Sequence, residues 1–85
     1  MPEEVTDGQL VYHYLLRHNL WNALQSTDNI NPYAIACDTF LAHRKGTTVE
    51  ELRELPAMTV NNLFKWELAD YRKEEEAEMK AYKEK

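Results

Sequence analysis

Three histidines, a lone cysteine and several runs of carboxylates are the side chains of this chain best suited to chemistry. A metal centre needs ligands that converge. His13 and His18 are five residues apart, about 140° around a helix, so they cannot share a ligand face. His43 falls on a different helical segment beside Arg44 and Lys45, a grouping that suits a helix C-terminus. No His-Glu-x-x-His or other paired ligand motif occurs. Cys37 and His43 lie nearly two turns apart on one helix, about 9 Å along its axis, too far for a nucleophile and its base. Cys37 sits among Tyr33, Phe40 and Leu41, which predicts a buried, inert thiol. The acid pairs, Glu50-Glu51 and Glu74 to Glu76, belong to charged helical surfaces that offer no pocket to shift a carboxyl. Gly8 and Gly46 are too few to build a phosphate loop. The residues therefore predict no catalytic site, no metal, no cofactor and no enzymatic activity.

The elements that carry these residues read as all-α. No stretch alternates apolar and polar residues long enough for a strand. Gly8, Gly46, Pro32 and Pro56 fall where helices should begin or end. A first helix is expected from Gly8 to Leu24 with Asp7 as its N-cap, although His18 and Asn19 dilute its apolar stripe and could stop it early. Gln25 to Asn31 is a polar loop with Asx-turn chemistry. Asn31-Pro32 opens a second helix, running to Lys45 and closed by Gly46. Its buried face is Tyr33, Ala36, Cys37, Phe40 and Leu41. Thr48 and Glu51 fit a capping box for a short helix, Val49 to Leu55, which Pro56 ends. A last helix is expected after Thr59, because Thr59-Val60-Asn61-Asn62-Leu63 repeats the helix-start pattern of Thr48-Val49-Glu50-Glu51-Leu52. The expected core centres on Leu15, Phe40, Leu41, Leu52, Leu63 and Phe64.

Eighty-five residues make one small domain whose core alone gives marginal stability. With one cysteine no disulfide can close within the chain, and self-association is the remaining common aid. The net charge of −5 repels phosphate backbones and anionic lipid. Ala42-x-x-x-Gly46, followed by Leu52 and Leu55, has helix-turn-helix spacing. The second helix would, however, present Glu50, Glu51 and Glu54 beside Arg53, so neither nucleic acid nor membrane is an expected partner. MPEEVTDGQ has no basic or apolar leader character, and no apolar run approaches a membrane span. The lone thiol fits a reducing cytoplasm.

The last third, TVNNLFKWELADYRKEEEAEMKAYKEK, begins amphipathic and ends almost fully charged. A helix from Val60 to Lys83 would run about 36 Å, against a radius of gyration of about 12 Å for a globule of this size. It should therefore outrun its own core. This predicts a compact helical domain over residues 1–71 and a charged helical extension over 72–85. Arg72–Glu76 and Glu76–Lys80 support the extension, while Asp70–Glu74 and Glu74–Glu78 repel. Nine aromatic residues are many for so short a chain, and Trp and Tyr dominate interface hot spots. Trp66 lies opposite the Phe64 and Leu68 side of its helix. Trp66, Tyr71, Met79 and Tyr82 are the candidate partner-binding residues.

The segment Leu55-Pro56-Ala57-Met58-Thr59-Val60 through Leu63, Trp66 and Tyr71 resembles a short Met-Thr/Ser, Leu, Trp helix in small acidic proteins of tailed bacteriophages. Those are tail-assembly chaperones and minor tail proteins. The resemblance covers about a third of the chain and implies binding to another phage or host protein, with no catalytic residue to carry over. Together with the charge pattern it predicts a non-catalytic assembly or accessory factor, in the host cytoplasm or within the virion. A ring-forming virion component and an acidic inhibitor of a host enzyme or defence system are the alternatives.

Overall fold

The computed structural model describes residues 5–25 and 31–83. The expected Asx-turn chemistry of the first loop falls mostly on residues 26–30, outside them. Four helices and one helical turn follow in order: α1 (Asp7–Arg17), the turn α2 (Asn22–Gln25), α3 (Pro32–Lys45), α4 (Val49–Arg53) and α5 (Ala57–Lys83). No strand occurs among the described residues, and the fold is a small all-α bundle as the breaker pattern predicts.

Capping chemistry sets most of the boundaries. Thr6, not Asp7, caps α1: its hydroxyl accepts from the Gln9 amide at 3.2 Å and the Gln9 side chain accepts from the Thr6 amide at 2.9 Å. This reciprocal pair satisfies two free donors at once, which a single Asp cap cannot. Asp7 becomes the first helical residue, and its carboxylate pairs with Arg72 at 2.9 Å. The helix stops at Arg17 rather than reaching Leu24. Asn19 adopts φ 59°, a left-handed conformation that Asn tolerates better than most residues. The Leu20 amide then turns back to the Leu15 carbonyl at 2.8 Å, a Schellman closure.

Both ends of α3 form as the sequence predicts. The Asn31 side chain accepts from the Ala34 amide at 3.2 Å, and Gly46 at φ 70° lets the Thr47 amide reach the Ala42 carbonyl at 3.0 Å. Thr48 and Glu51 form the expected capping box of α4. Thr59 does not cap the last helix. That helix starts at Ala57, with the Val60 amide bonded to the Pro56 carbonyl at 3.1 Å. Pro56 has already fixed the entry to the helix, so the echo with Thr48 is one of sequence and not of structure.

α3 lies in the middle and touches every other element. One core cluster, Leu10, Val11, Tyr14, Leu15, Ala36, Phe40, Leu68 and Tyr71, is shared by α1, α3 and α5. A smaller one, Leu41, Ala42 and Leu52, seats α4 with Val49, Val60 and Leu63 packed against it. Phe64 borders both. Leu15, Phe40, Leu41 and Leu52 are buried as expected, whereas Leu63 and Phe64 are only half-buried. Leu68 and Tyr71 take their place because α5 meets α1 and α3 one to two turns beyond Leu63 and Phe64. Cys37 is half-buried, less enclosed than expected. Burial still pushes its thiol up, more than the neighbouring Tyr33 hydroxyl draws it down, which favours the protonated form at neutral pH.

Twenty-seven residues give α5 a length of about 40 Å, nearly the 44 Å long axis of the molecule. The first turns of the charged segment do not stand free. Arg17 of α1 grips Glu75 and Glu78, and Arg44 of α3 grips Glu67 and Glu74. Glu74 and Glu78, a repelling pair along the helix, thus each face an arginine from another helix.

Candidate functional site

Two regions stand out once the core is assigned. The first is an apolar stripe on the outside of α5 and the turn before it. Leu55, Met58 and Trp66 are 41%, 75% and 68% exposed. Met58, Asn62 and Trp66 follow one another at four-residue intervals, so they lie on one side of the helix over two turns. Leu68, two residues beyond Trp66, points into the core at 5% exposure. A large indole held on a fixed helix, away from its own core, is the kind of group that anchors interfaces.

The other three candidate residues separate. Met79 is half exposed near the end of α5. The Tyr82 side chain lies outside the described residues. Tyr71 is a correction: it is 3% exposed and packs edge-on against Tyr14 at 5.0 Å, with the Arg44 guanidinium 5.8 Å from its ring centre. It belongs to the core and cannot face a partner. Its position three residues after Leu68, on the same face of the helix, was the signal for that. The adjoining charged run obscured it.

The second region is a cleft of about 230 Å³ between α1, α3 and α5. Arg17, Arg44, Glu74, Glu75 and Glu78 form its walls, and Tyr14, His18 and Tyr71 line its depth. Tyr14 is the hub. Its ring meets Phe40 at 4.7 Å, Tyr71 at 5.0 Å and His18 at 4.2 Å, and its hydroxyl is hydrogen-bonded to Nδ1 of His43. The His18 and His43 rings lie 5.0 Å apart. Helical spacing could not bring these two histidines together, because they stand on different helices; only the packing of α1 on α3 does so.

Burial raises the Tyr14 hydroxyl above the ordinary tyrosine range, a trend that Arg44 opposes. It therefore stays protonated at neutral pH, hydrogen-bonded to His43. The Tyr71 hydroxyl is buried, with no hydrogen bond of good geometry among the described residues; Glu75 and Arg17 lie beside it. The hydrogen bonds of Arg17 to Glu78 and of Arg44 to Glu74 raise both guanidinium groups and hold the two carboxylates below their usual range. Each cleft carboxylate is thus paired with an arginine of α1 or α3. No cluster of three metal-ligating side chains occurs among the described residues. The outer side of α4 presents Glu50, Glu51, Arg53 and Glu54, all exposed, an arrangement that repels a phosphate backbone. No described helix is long and apolar enough to cross a membrane.

Comparison with protein-family models, with curated proteins and with solved structures finds no match to this chain.

Proposed function

We propose that this chain is a non-catalytic protein-binding factor, an assembly or accessory protein of the tailed-phage kind that its last helix resembles. The observation that carries the reading is the exposed stripe of Met58 and Trp66 on α5, with Leu55 beside it. These residues contribute nothing to the core clusters, so their apolar surface is open to a partner. The polar cleft, with its paired charges and neutral tyrosines, offers no activated group, which favours binding over catalysis. Met79 extends the candidate contact surface toward the end of α5, and the acidic flank of that helix would select for a basic or mixed-charge partner. The setting we propose is the host cytoplasm or the assembling virion.

The test is paired capture from the native host, using the wild-type chain and a Met58→Ser/Trp66→Ala variant as baits. Both positions are exposed, so the variant should melt within a few degrees of wild type. A protein retained by the wild type and lost from the variant supports the reading. Equal capture by both baits places binding elsewhere and overturns the role of this stripe.

A further inference from the structure

The outer face of α5 has a small residue near its middle and charges that find no partner in their own chain. Met58, Asn62, Trp66, Ala69 and Lys73 follow one another at three- and four-residue spacing on the side away from Leu68 and Tyr71, and all are exposed. Ala69 lies close to the midpoint of Ala57–Lys83. An alanine there lets a second helix come as near as helices pack, about 8 Å between axes. Charge divides between the two sides of the helix. Inward, Glu67, Glu74, Glu75 and Glu78 are taken up by Arg17, Arg44 and Lys45. Outward, Lys65, Asp70, Lys73, Glu76 and Lys80 are exposed and form no ion pair among the described residues. Their signs alternate along the helix, so this face is of mixed charge although the chain is acidic as a whole.

We propose that this face is covered by the same face of a second copy of the chain, α5 against α5 in antiparallel orientation, with the two-fold axis at Ala69. The inference rests on the reading of the exposed stripe as a protein contact and names its partner. A two-fold axis repeats every contact, so the patch must be its own complement. With Ala69 on the axis, Trp66 falls within about 2 Å of the level of Lys73 of the second copy, and Lys65 within about 5 Å of the level of its Glu76. The members of each pair stand on the same edge of the contact. The indole covers the Lys73 stem and faces its ammonium. Lys65 and Glu76 have side chains long enough to close an ion pair, and Asn62, level with the same carboxylate, can donate to it. In a parallel pair, as within one chain, Lys65 and Glu76 stay about 16 Å apart in level. A strip about 40 Å long and about 10 Å wide offers half of the ~800 Å² that each partner buries in a standard interface. The dimer is therefore weak, dissociating in the micromolar range or above.

The experiment is sedimentation equilibrium of the full chain from micromolar to millimolar concentration, for wild type, Trp66→Ala, Lys65→Glu, Glu76→Lys and the double swap Lys65→Glu/Glu76→Lys. Wild type should pass from monomer to dimer across the range, and Trp66→Ala should remain monomeric. Each single swap turns both Lys65–Glu76 contacts of the dimer from attraction to repulsion and should weaken association about tenfold. The double swap restores both contacts and should return association to within about threefold of wild type. Such a rescue cannot arise inside one chain, given the separation of the two positions along the helix. A wild-type chain that is monomeric at millimolar concentration, a dimer that survives Trp66→Ala, or a double swap no better than the singles overturns the proposal. A monomeric wild type would leave standing the capture of a host protein through the same stripe, so the two readings fail separately. If Trp66→Ala does not fold, the swap series, which keeps the indole, decides.

Discussion

At the residue scale, Tyr71 shows how a core of this size tolerates a polar defect. Its ring adds contacts to Tyr14 and Phe40, while its hydroxyl is enclosed with no well-formed hydrogen bond among the described residues. A buried hydroxyl left unpaired costs about 1–3 kcal/mol. Tyr71→Phe keeps the ring and removes the cost, so it should melt above wild type at pH 7, by an amount equivalent to about 1 kcal/mol in denaturant titration. A clear loss of stability would mean that the hydroxyl is bonded after all. The same substitution has a pH signature. Burial, with Glu75 adding to it, raises the Tyr71 hydroxyl above its ordinary value of 10.0, and burial pushes Tyr33 up to about 12. Raised folded-state values give stability that is complete below the unfolded value, near 10, and lost as pH rises beyond it. Wild type should therefore lose melting temperature between pH 10 and about pH 12, and Tyr71→Phe should lose less.

At the element scale, the end of α1 is fixed by one backbone conformation. The apolar stripe continues through Leu20, Trp21 and Leu24, and by periodicity alone the helix should do so too. Asn19 at φ 59° breaks it, and Leu20, Trp21 and Leu24 then pack back on the core from a different direction. The break delivers His18 to the Tyr14 cluster and lets α2 cover α3. Asn19→Gly should be neutral or slightly stabilising. Asn19→Val should cost about 1–2 kcal/mol, because a β-branched residue is strained in the left-handed region. Denaturant unfolding of the two variants checks this. Equal stability of both would show that α1 can run on past Arg17.

At the scale of the whole molecule, α5 is both wall and clasp. Up to Tyr71 it fills the core; from Arg72 to Glu78 it lies along α1 through ion pairs. Exposed pairs contribute little each and weaken with salt, whereas Arg44–Glu67, with both side chains mostly covered, is screened less. Removing residues 79–85 should leave the melting temperature unchanged. Removing 72–85 should lower it by several degrees without unfolding the domain, since Leu68 and Tyr71 remain and a single kcal/mol shifts a domain of this size by about 4–8 °C. The loss should shrink in high salt, where the clasp is already screened in the intact chain. A truncated chain that does not fold would show that the clasp is part of the core.

What the sequence determined by itself was local. Asn31-Pro32, Gly46, the Thr48–Glu51 box and Pro56 fixed where α3 and α4 begin and end, because caps and breakers act within four residues of chain. The burial of Phe40, Leu41 and Leu52 followed from helical periodicity, and so did the place of Trp66 opposite Phe64 and Leu68, whereas its exposure came from the packing. The tertiary structure decided what depends on how helices cross. It moved the core from Leu63 and Phe64 toward Leu68 and Tyr71, turned Arg17 and Arg44 onto carboxylates of α5, and brought His18 beside His43. Periodicity gives the face of a helix but neither its crossing point nor its neighbour. Those are set by packing side chains from segments far apart in the chain, and the candidate cleft is made entirely of such meetings.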